Sequence, residues 1–286
     1  MIPRNRALPS EEKIISVRNL KFVYEGGVEA LRGINLDIRS GEFLAIVGGN
    51  GSGKTTLAKN FNGLLRPTGG TVRVADKPAS ELTVAQLSRI IGYAFQNPDH
   101  QLFCASVEEE VRFGPVNLGY PEDEVKAKVE HAIEAMDIHS VRALPPHSLR
   151  LSERRRVSIA SVIAMDPRVI ILDEPTTGLD AGETKALMAK VSQLNREGRT
   201  VVLITHDMRL VAEHASRVVV MSDGRIVLDS DPRGAFADLD LLRNCSLVPP
   251  PVMLLAHSLA KYGVPRDIIS PQELVMRIVL GKGDVR

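Results

Sequence analysis

Residues 43–56 read FLAIVGGNGSGKTT, and this stretch sets the fold. Residues 43–47 are a continuous apolar run, as in a strand covered on both faces. Gly48-Gly49-Asn50-Gly51-Ser52-Gly53-Lys54-Thr55 then matches G-x-x-x-x-G-K-[ST] at every fixed position. Glycines let successive backbone N–H groups turn toward a phosphate chain. A helix predicted from 54 to about 65 aims its positive end at the same anion. Lys54 can neutralise the β- and γ-phosphates, and the Thr55 hydroxyl can ligate Mg²⁺. Gly48, Asn50, Gly51, Ser52, Gly53, Lys54, Thr55 and the adjoining Thr56 are therefore the candidate nucleotide-binding residues. A chance Gly-rich turn would lack the apolar strand before it and the helix after it.

The second anchor is VIILDE at 169–174. A buried strand ending in two adjacent carboxylates is costly unless a cation or a reaction needs them. Asp173 can hold the Mg²⁺ shell. Glu174, taken to point the other way along an extended chain, can polarise an attacking water. The alternative, an N-cap pair at a strand-to-helix turn, leaves the phosphate loop without its magnesium partner.

Outward from these anchors, residues 14–23, 30–38, 71–75 and 90–95 read as strands. So do 169–172, 201–204 and 217–221, and 183–196 between the first two of these reads as a helix. Strand, helix, strand with buried apolar runs means a parallel α/β core. Residues 105–165 read as mainly helical, with Val125, Val129, Ile133 and Met136 at helical spacing, and so form an insertion. A final module begins near Asn244. Pro249-Pro250-Pro251 reads as a stiff spacer. Val252, Leu255, Ala256 and Leu259 mark one amphipathic helix. Ser270-Pro271-Gln272-Glu273 reads as a capping box opening a second, with Leu274, Val275 and Ile278.

The 286 residues carry a formal net charge of +1, which argues against a dedicated nucleic-acid binder. Cys104 and Cys245 stand far apart and suggest two reduced thiols, with neither a zinc site nor a disulfide framework. Residues 1–10 are polar and show no secretory signal, and no apolar run nears the ~20 residues of a membrane span. If the chain works at a membrane, other chains supply the spans.

The ordered motifs between residue 14 and about 230 resemble those of ABC transporter ATPases. The resemblance implies an α/β P-loop NTPase (RecA-like) core with an N-terminal antiparallel β subdomain, an inserted α-helical subdomain at about 105–165 and a small C-terminal helical module. It divides the chain into an ATPase domain at 10–240 and a dimerising module at 245–286. Tyr24 matches the aromatic residue that stacks on adenine. Gln96 stands where the Q-loop glutamine reaches Mg²⁺ and the attacking water. Gly178-Leu179-Asp180 resembles the D-loop, which crosses to a partner subunit. His206 matches the switch histidine that contacts the γ-phosphate. Taken singly, Tyr24 reads rather as a core or surface aromatic, and the alternatives are a loop polar residue for Gln96, a helix-start residue for His206 and a cap for Asp180. Lys54, Gln96, Glu174 and His206 are thus the candidate catalytic residues, and Thr55, Gln96 and Asp173 the candidate Mg²⁺ ligands, with ATP and Mg²⁺ the implied cofactors.

A narrower resemblance rests on QNPDHQLF at 96–103, which looks like the extended Q-loop of energy-coupling factor ATPases that drive vitamin, cobalt or nickel uptake. It implies a peripheral subunit at the cytoplasmic face of the membrane. Its partners would be a second ABC ATPase, a transmembrane coupling protein and a small membrane substrate-binding protein. The alternatives are an ordinary ABC importer subunit and a soluble ABC ATPase acting on nucleic acid or ribosomes. One motif departs from the family. Residues 146–157 read PHSLRLSERRRV where the family carries Leu-Ser-Gly-Gly-Gln at a helix start. Ungapped, Arg150 replaces the Ser, Leu151 and Ser152 the two Gly, and Glu153 the Gln. Leu151 brings a branched side chain where backbone approaches a triphosphate, and Glu153 adds negative charge near an anion. The Arg run 154–156 is read as a solvated face with one Arg supporting the fold. These changes imply a heterodimer in which the site closed by this chain's signature is slow.

Overall fold

The computed structural model describes residues 11–281. Residues 1–10, read above as free of a secretory signal, and 282–286, the end of the C-terminal module, lie outside the described residues. Among the described residues, no helix is long and apolar enough to cross a membrane.

β1 (Lys13–Val23) and β2 (Glu29–Arg39) pair antiparallel, setting Ile15 opposite Ile38, Val17 opposite Leu36 and Leu20 opposite Ile34. All six side chains are buried, so the hydrophobic pattern fixes the register. β3 (Phe43–Val47) leads into α1 (Lys54–Phe61), which stops four residues before the predicted end. β4 (Gly69–Val74) and β5 (Lys77–Pro78) complete a four-stranded antiparallel sheet of order β2-β1-β4-β5. α2 (Val84–Ser88) and β6 (Ile91–Ala94) follow.

The insertion is three helices, α3 (Val107–Asn117), α4 (Glu122–Met136) and α5 (Leu151–Ile163). The chain then returns to the sheet through β7 (Val169–Asp173), α6 (Ala181–Arg196), β8 (Thr200–Ile204), α7 (Met208–His214), β9 (Arg217–Ser222) and β10 (Arg225–Ser230). The second sheet has the order β10-β9-β3-β8-β7-β6, parallel except for the β9–β10 hairpin. Its strands alternate between two cores, as period-two side chains must. Phe43, Ala45, Val47, Ile170, Leu172, Val201 and Leu203 join the helical insertion in one. Leu44, Ile46, Val169, Ile171, Val202 and Ile204 meet the antiparallel sheet and α1 in the other.

The C-terminal part runs through α8 (Pro232–Ala237), α9 (Leu239–Asn244), α10 (Pro251–Leu259) and α11 (Pro271–Gly281). The prolines are no free spacer: Pro249 and Pro250 are buried and Pro251 opens α10. Cys245, Leu247 and Met253 belong to the main core, so the break near Asn244 does not separate two cores. Ala256, Ile268 and Leu274 form a small cluster of their own. Leu255, Val275 and Ile278, read as the apolar faces, are instead exposed together with Met276 and Val279. Ser270 does accept from the Glu273 N–H (3.2 Å), but the Glu273 carboxylate turns to Arg233 (3.0 Å) rather than closing the box on Ser270.

Both cysteines are free. Burial and the Glu110 carboxylate push the Cys104 thiol up to about 11. Glu110 itself is buried on α3 and accepts the N–H groups of Phe103 and Cys104, each at 2.8 Å. Glu110→Ala strands two backbone donors, and we expect a loss of about 1–3 kcal/mol. It is read as a lower urea midpoint with an unchanged m-value.

Candidate functional site

Parallel pairing brings the candidate residues to one edge. Ile46, Ile204 and Asp173 lie level across β3, β8 and β7, so the segments that follow these strands leave the sheet side by side. Ligands of open α/β sheets bind at this C-terminal edge.

The phosphate loop wraps Lys54. Its Nζ donates to the carbonyl oxygens of Gly48 and Gly49, each at 2.9 Å, and to Ser52 Oγ at 3.4 Å. Burial lowers the Lys54 pKa, and the Glu174 and Asp173 carboxylates oppose that shift. An added anion would oppose it further. Gly48 sits at φ +153°, where a Cβ would lie 2.2 Å from the Met221 carbonyl oxygen, so only glycine fits. Gly53 at φ +101° turns the chain into α1.

Asp173 is buried at the end of β7. Its Oδ2 accepts from Thr55 Oγ1 at 2.9 Å and from the Tyr93 hydroxyl at 2.6 Å. Its Oδ1 is buried with no hydrogen-bond partner. Burial, then the Asp173 charge, raise the Tyr93 pKa above the usual phenol range, keeping it a donor. An orphaned carboxylate oxygen beside a threonine hydroxyl is a hard-oxygen donor set that fits Mg²⁺. Thr55 and Asp173 are the residues that would hold it.

Glu174 does not continue the extended chain. Its backbone turns left-handed at φ +48°, a conformation that costs about 1–3 kcal/mol in a non-glycine residue. The Glu174 N–H donates to the Ile204 carbonyl at 2.9 Å, which holds the turn against β8. His206 Nδ1 lies 2.8 Å from Glu174 Oε1, joining the two into one hydrogen-bonded unit. His206 is largely exposed while Glu174 is mostly shielded. Asp207 beside it caps α7 by accepting from the Arg209 N–H.

Tyr24 is 41% exposed beside the loop, edge-on to Phe22 at 4.9 Å, and its hydroxyl pairs with Thr56 Oγ1 at 2.9 Å. The Thr56 hydroxyl is thus committed to Tyr24. Gln96 follows β6 with an exposed side chain. Asp180 caps α6: its Oδ1 accepts from the Glu183 N–H at 2.8 Å, and Glu183 Oε2 accepts from the Asp180 N–H at 3.2 Å.

The altered signature opens α5. The Arg150 N–H donates to Glu153 Oε2 at 3.0 Å, so the Glu153 charge folds back on its own helix start. Leu151 Cδ2 lies 2.8 Å from where a Cβ on Gly178 would sit, so this branched side chain packs on its own D-loop. In the Arg run one arginine, Arg155, supports the fold as expected, but the other two are half-buried and bonded rather than freely solvated. Arg154 pairs with Asp99 at 2.8 Å, Arg155 is buried, and Arg156 donates to the Asp137 carbonyl at 2.8 Å.

Two contributions escaped the sequence reading. Tyr93 read only as one residue of the strand at 90–95, although a buried phenol requires a partner. Asn244 and Ser246 line a cleft with Gly49, Asn50, Gly51 and Ser52, and a methyl on Gly49 would lie 3.2 Å from the Cys245 carbonyl oxygen. No local pattern linked that segment to the loop. Outer partners orient a carboxylate that would hold a metal, so we expect Tyr93→Phe to raise the Mg²⁺ concentration needed for nucleotide binding about 10-fold. Mg²⁺ titration at fixed nucleotide measures it.

The family model described as ABC transporter matches residues 31–177. An ABC transporter ATP-binding protein of Caldanaerobacter subterraneus subsp. tengcongensis is 47% identical over 262 residues, covering 92% of this chain and 45% of that protein. The chain thus spans about half the length of the first curated relatives it matches. Energy-coupling factor transporter ATP-binding protein EcfA1 of the same organism is 43% identical over 270 residues, covering 92% of this chain and 97% of that protein. The solved structure of cbiO1 from Clostridium perfringens, described as part of the ABC transporter complex cbiONQ, is similar with a TM-score of 0.73. It is 40% identical and covers 82% of this chain and 94% of that one. Phosphate loop, paired carboxylates, sheet order and these likenesses agree: the chain belongs to the ABC transporter ATP-binding family.

Proposed function

We propose that this chain is the ATP-hydrolysing subunit of an energy-coupling factor type uptake transporter, docked at the cytoplasmic face of the membrane. The observation that carries the hydrolytic reading is the Asp173–Thr55 pair with its orphaned carboxylate oxygen, standing beside the Glu174–His206 pair. Likeness to EcfA1 over nearly its whole length, and to cbiO1, supports the transporter class. The cargo on this reading is a micronutrient, a vitamin or a cobalt or nickel ion.

The chemistry is in-line attack of water on the γ-phosphoryl group. Lys54, the loop N–H groups and the start of α1 bind the phosphate chain and oppose its charge. Thr55 and Asp173, with Gln96 as a further ligand, would hold Mg²⁺, which would supply charge neutralisation of the phosphate oxygens. Glu174 accepts the proton of the attacking water, and its hydrogen bond with His206 orients the carboxylate. The left-handed turn at Glu174 sets that carboxylate apart from Asp173, so neighbouring acids serve different tasks. Tyr24 offers an exposed ring to adenine at the mouth of the site.

The partner chains are a second ATPase, a transmembrane coupling protein and a small membrane substrate-binding protein. An exposed aromatic pair, Phe103 and Phe113 with centroids 4.8 Å apart, stands beside the extended Q-loop with exposed Val116, and suits the coupling protein. The outward Val275, Met276 and Val279 on α11 suit the partner ATPase. The signature change supports a heterodimer: this chain keeps every residue of its own site, whereas the motif that closes its partner's site is altered at Arg150, Leu151, Ser152 and Glu153.

Glu174→Gln is expected to bind ATP as the native chain does while turnover in the assembled complex falls about 100-fold or more. Native turnover in that variant removes Glu174 from the base role. The purified chain alone is expected to hydrolyse ATP more slowly than the complex recovered with it from native membranes. Mass spectrometry of that complex should find a second, different ABC ATPase. Full-rate hydrolysis by the chain alone overturns the heterodimer.

A further inference from the structure

Arg155 stands on α5, 5% exposed, in the middle of the Arg run. Its guanidinium donates to two main-chain carbonyls on separate loops. Nη1 donates to Gln96 in the Q-loop, and Nη2 donates to Thr177 at 3.0 Å in the turn after β7. Nε is buried with no hydrogen-bond partner. No carboxylate is within ion-pairing distance of it among the described residues. Burying a guanidinium against two neutral carbonyls is a costly way to stitch loops together; burial lowers its pKa, and the more distant Glu174 and Asp99 charges oppose that shift.

The Q-loop does not need Arg155 to stay on α5. Gln101 Nε2 donates to the Ser158 carbonyl at 2.8 Å and to Ser161 Oγ at 3.0 Å, and its Oε1 accepts from Ser158 Oγ at 2.7 Å. Arg154 adds its ion pair with Asp99. Of these hydrogen bonds, only the Arg155 pair continues to the turn that carries Glu174. There the Thr177 N–H donates to the Glu174 carbonyl at 3.3 Å, and Thr177 Oγ1 lies 3.5 Å from Glu174 Oε2.

We propose that Arg155 is a positioning residue for hydrolysis: its two-carbonyl clamp sets the Glu174 turn against the Q-loop, so that the carboxylate that activates water moves with α5. This rests on the hydrolytic reading above. A guanidinium fork can span both carbonyls at once, whereas an ammonium group reaches them as a single point. The clamp touches no residue of the phosphate loop and reaches Gln96 only through its main-chain carbonyl, so its loss falls on turnover far more than on nucleotide affinity.

The test uses the complete transporter complex carrying Arg155→Met or Arg155→Lys, with Arg154→Ala as control. Misplacing a catalytic group by about 1 Å costs on the order of 100-fold. Arg155→Met should therefore lower kcat about 10- to 100-fold while KM for ATP stays within about 3-fold. Arg155→Lys should recover part of kcat, and Arg154→Ala should remain near native. If Arg155→Met does not fold, Arg155→Lys decides alone, with a reduced kcat at native KM expected. Native kcat in either Arg155 variant overturns the proposal. So does a parallel loss of kcat, ATP affinity and thermal midpoint, equal in Met and Lys, which marks a merely structural role. A native complex that does not hydrolyse ATP at all strikes at the hydrolytic reading instead.

Discussion

The Asp173 carboxylate is the point on which the site converges. It is buried at the end of β7, and one of its oxygens gathers the hydroxyls of Thr55 and Tyr93. Those two residues come from α1, which follows β3, and from β6, and β3 and β6 lie on opposite sides of β7 in the sheet order. A buried carboxylate with one oxygen unpartnered is expensive. It is tolerable where a cation can meet it, and the parallel sheet brings the phosphate loop to the same edge. The strands flanking β7 are buried throughout, and their aliphatic side chains enter the two cores that offset the cost of the polar edge.

What the sequence disclosed followed fixed chemistry or strong periodicity. The glycine-lysine-threonine spacing and the strand ending in Asp173 and Glu174 were legible because few other folds need them. The helical spacing of Val125, Val129, Ile133 and Met136 was legible because the insertion buries one face, and all four are buried. The misses have equally physical causes. β10 was missed although Asp223-Gly224 spells a tight hairpin turn, with φ +48° and +72°. β5 has only two residues and α7 seven, too short to show a period. The left-handed backbone of Glu174 has no sequence signal, since tertiary bonding to Ile204 imposes it. Arg155 was hidden in a charged run, yet its helical phase was readable: Ile159 and Val162, four and seven residues on, are both buried.

The C-terminal helices show the limit of reading amphipathicity alone. Helical spacing correctly marks α10 and α11 as having apolar faces, but not which part of each face the chain covers itself. Ala256 and Leu274 turn inward, while Leu255, Val275 and Ile278 remain outside. Such a cluster of outward aliphatics needs a second surface to leave water, which is the physical content of the dimerising role proposed for this module.

The altered signature then becomes intelligible as a change confined to one end of α5. Replacing a serine N-cap by Arg150 forfeits about 1 kcal/mol of capping. The Glu153 carboxylate recovers part by accepting the Arg150 N–H, and its charge suits a helix start. Leu151 fills space against Gly178 of its own chain. Further along, Ser158 and Ser161 hold the Q-loop through Gln101, and Arg155 joins it to the Glu174 turn. The contacts that serve this chain's own nucleotide site are thus complete, and the departures fall on the turn that would face a partner's nucleotide. A helix whose inward bonds are kept while its half-buried first turn has changed can still report movement to its own Glu174. It does so without offering a partner the glycine backbone that closes a second site, and that asymmetry is the physical basis of the heterodimer proposed above.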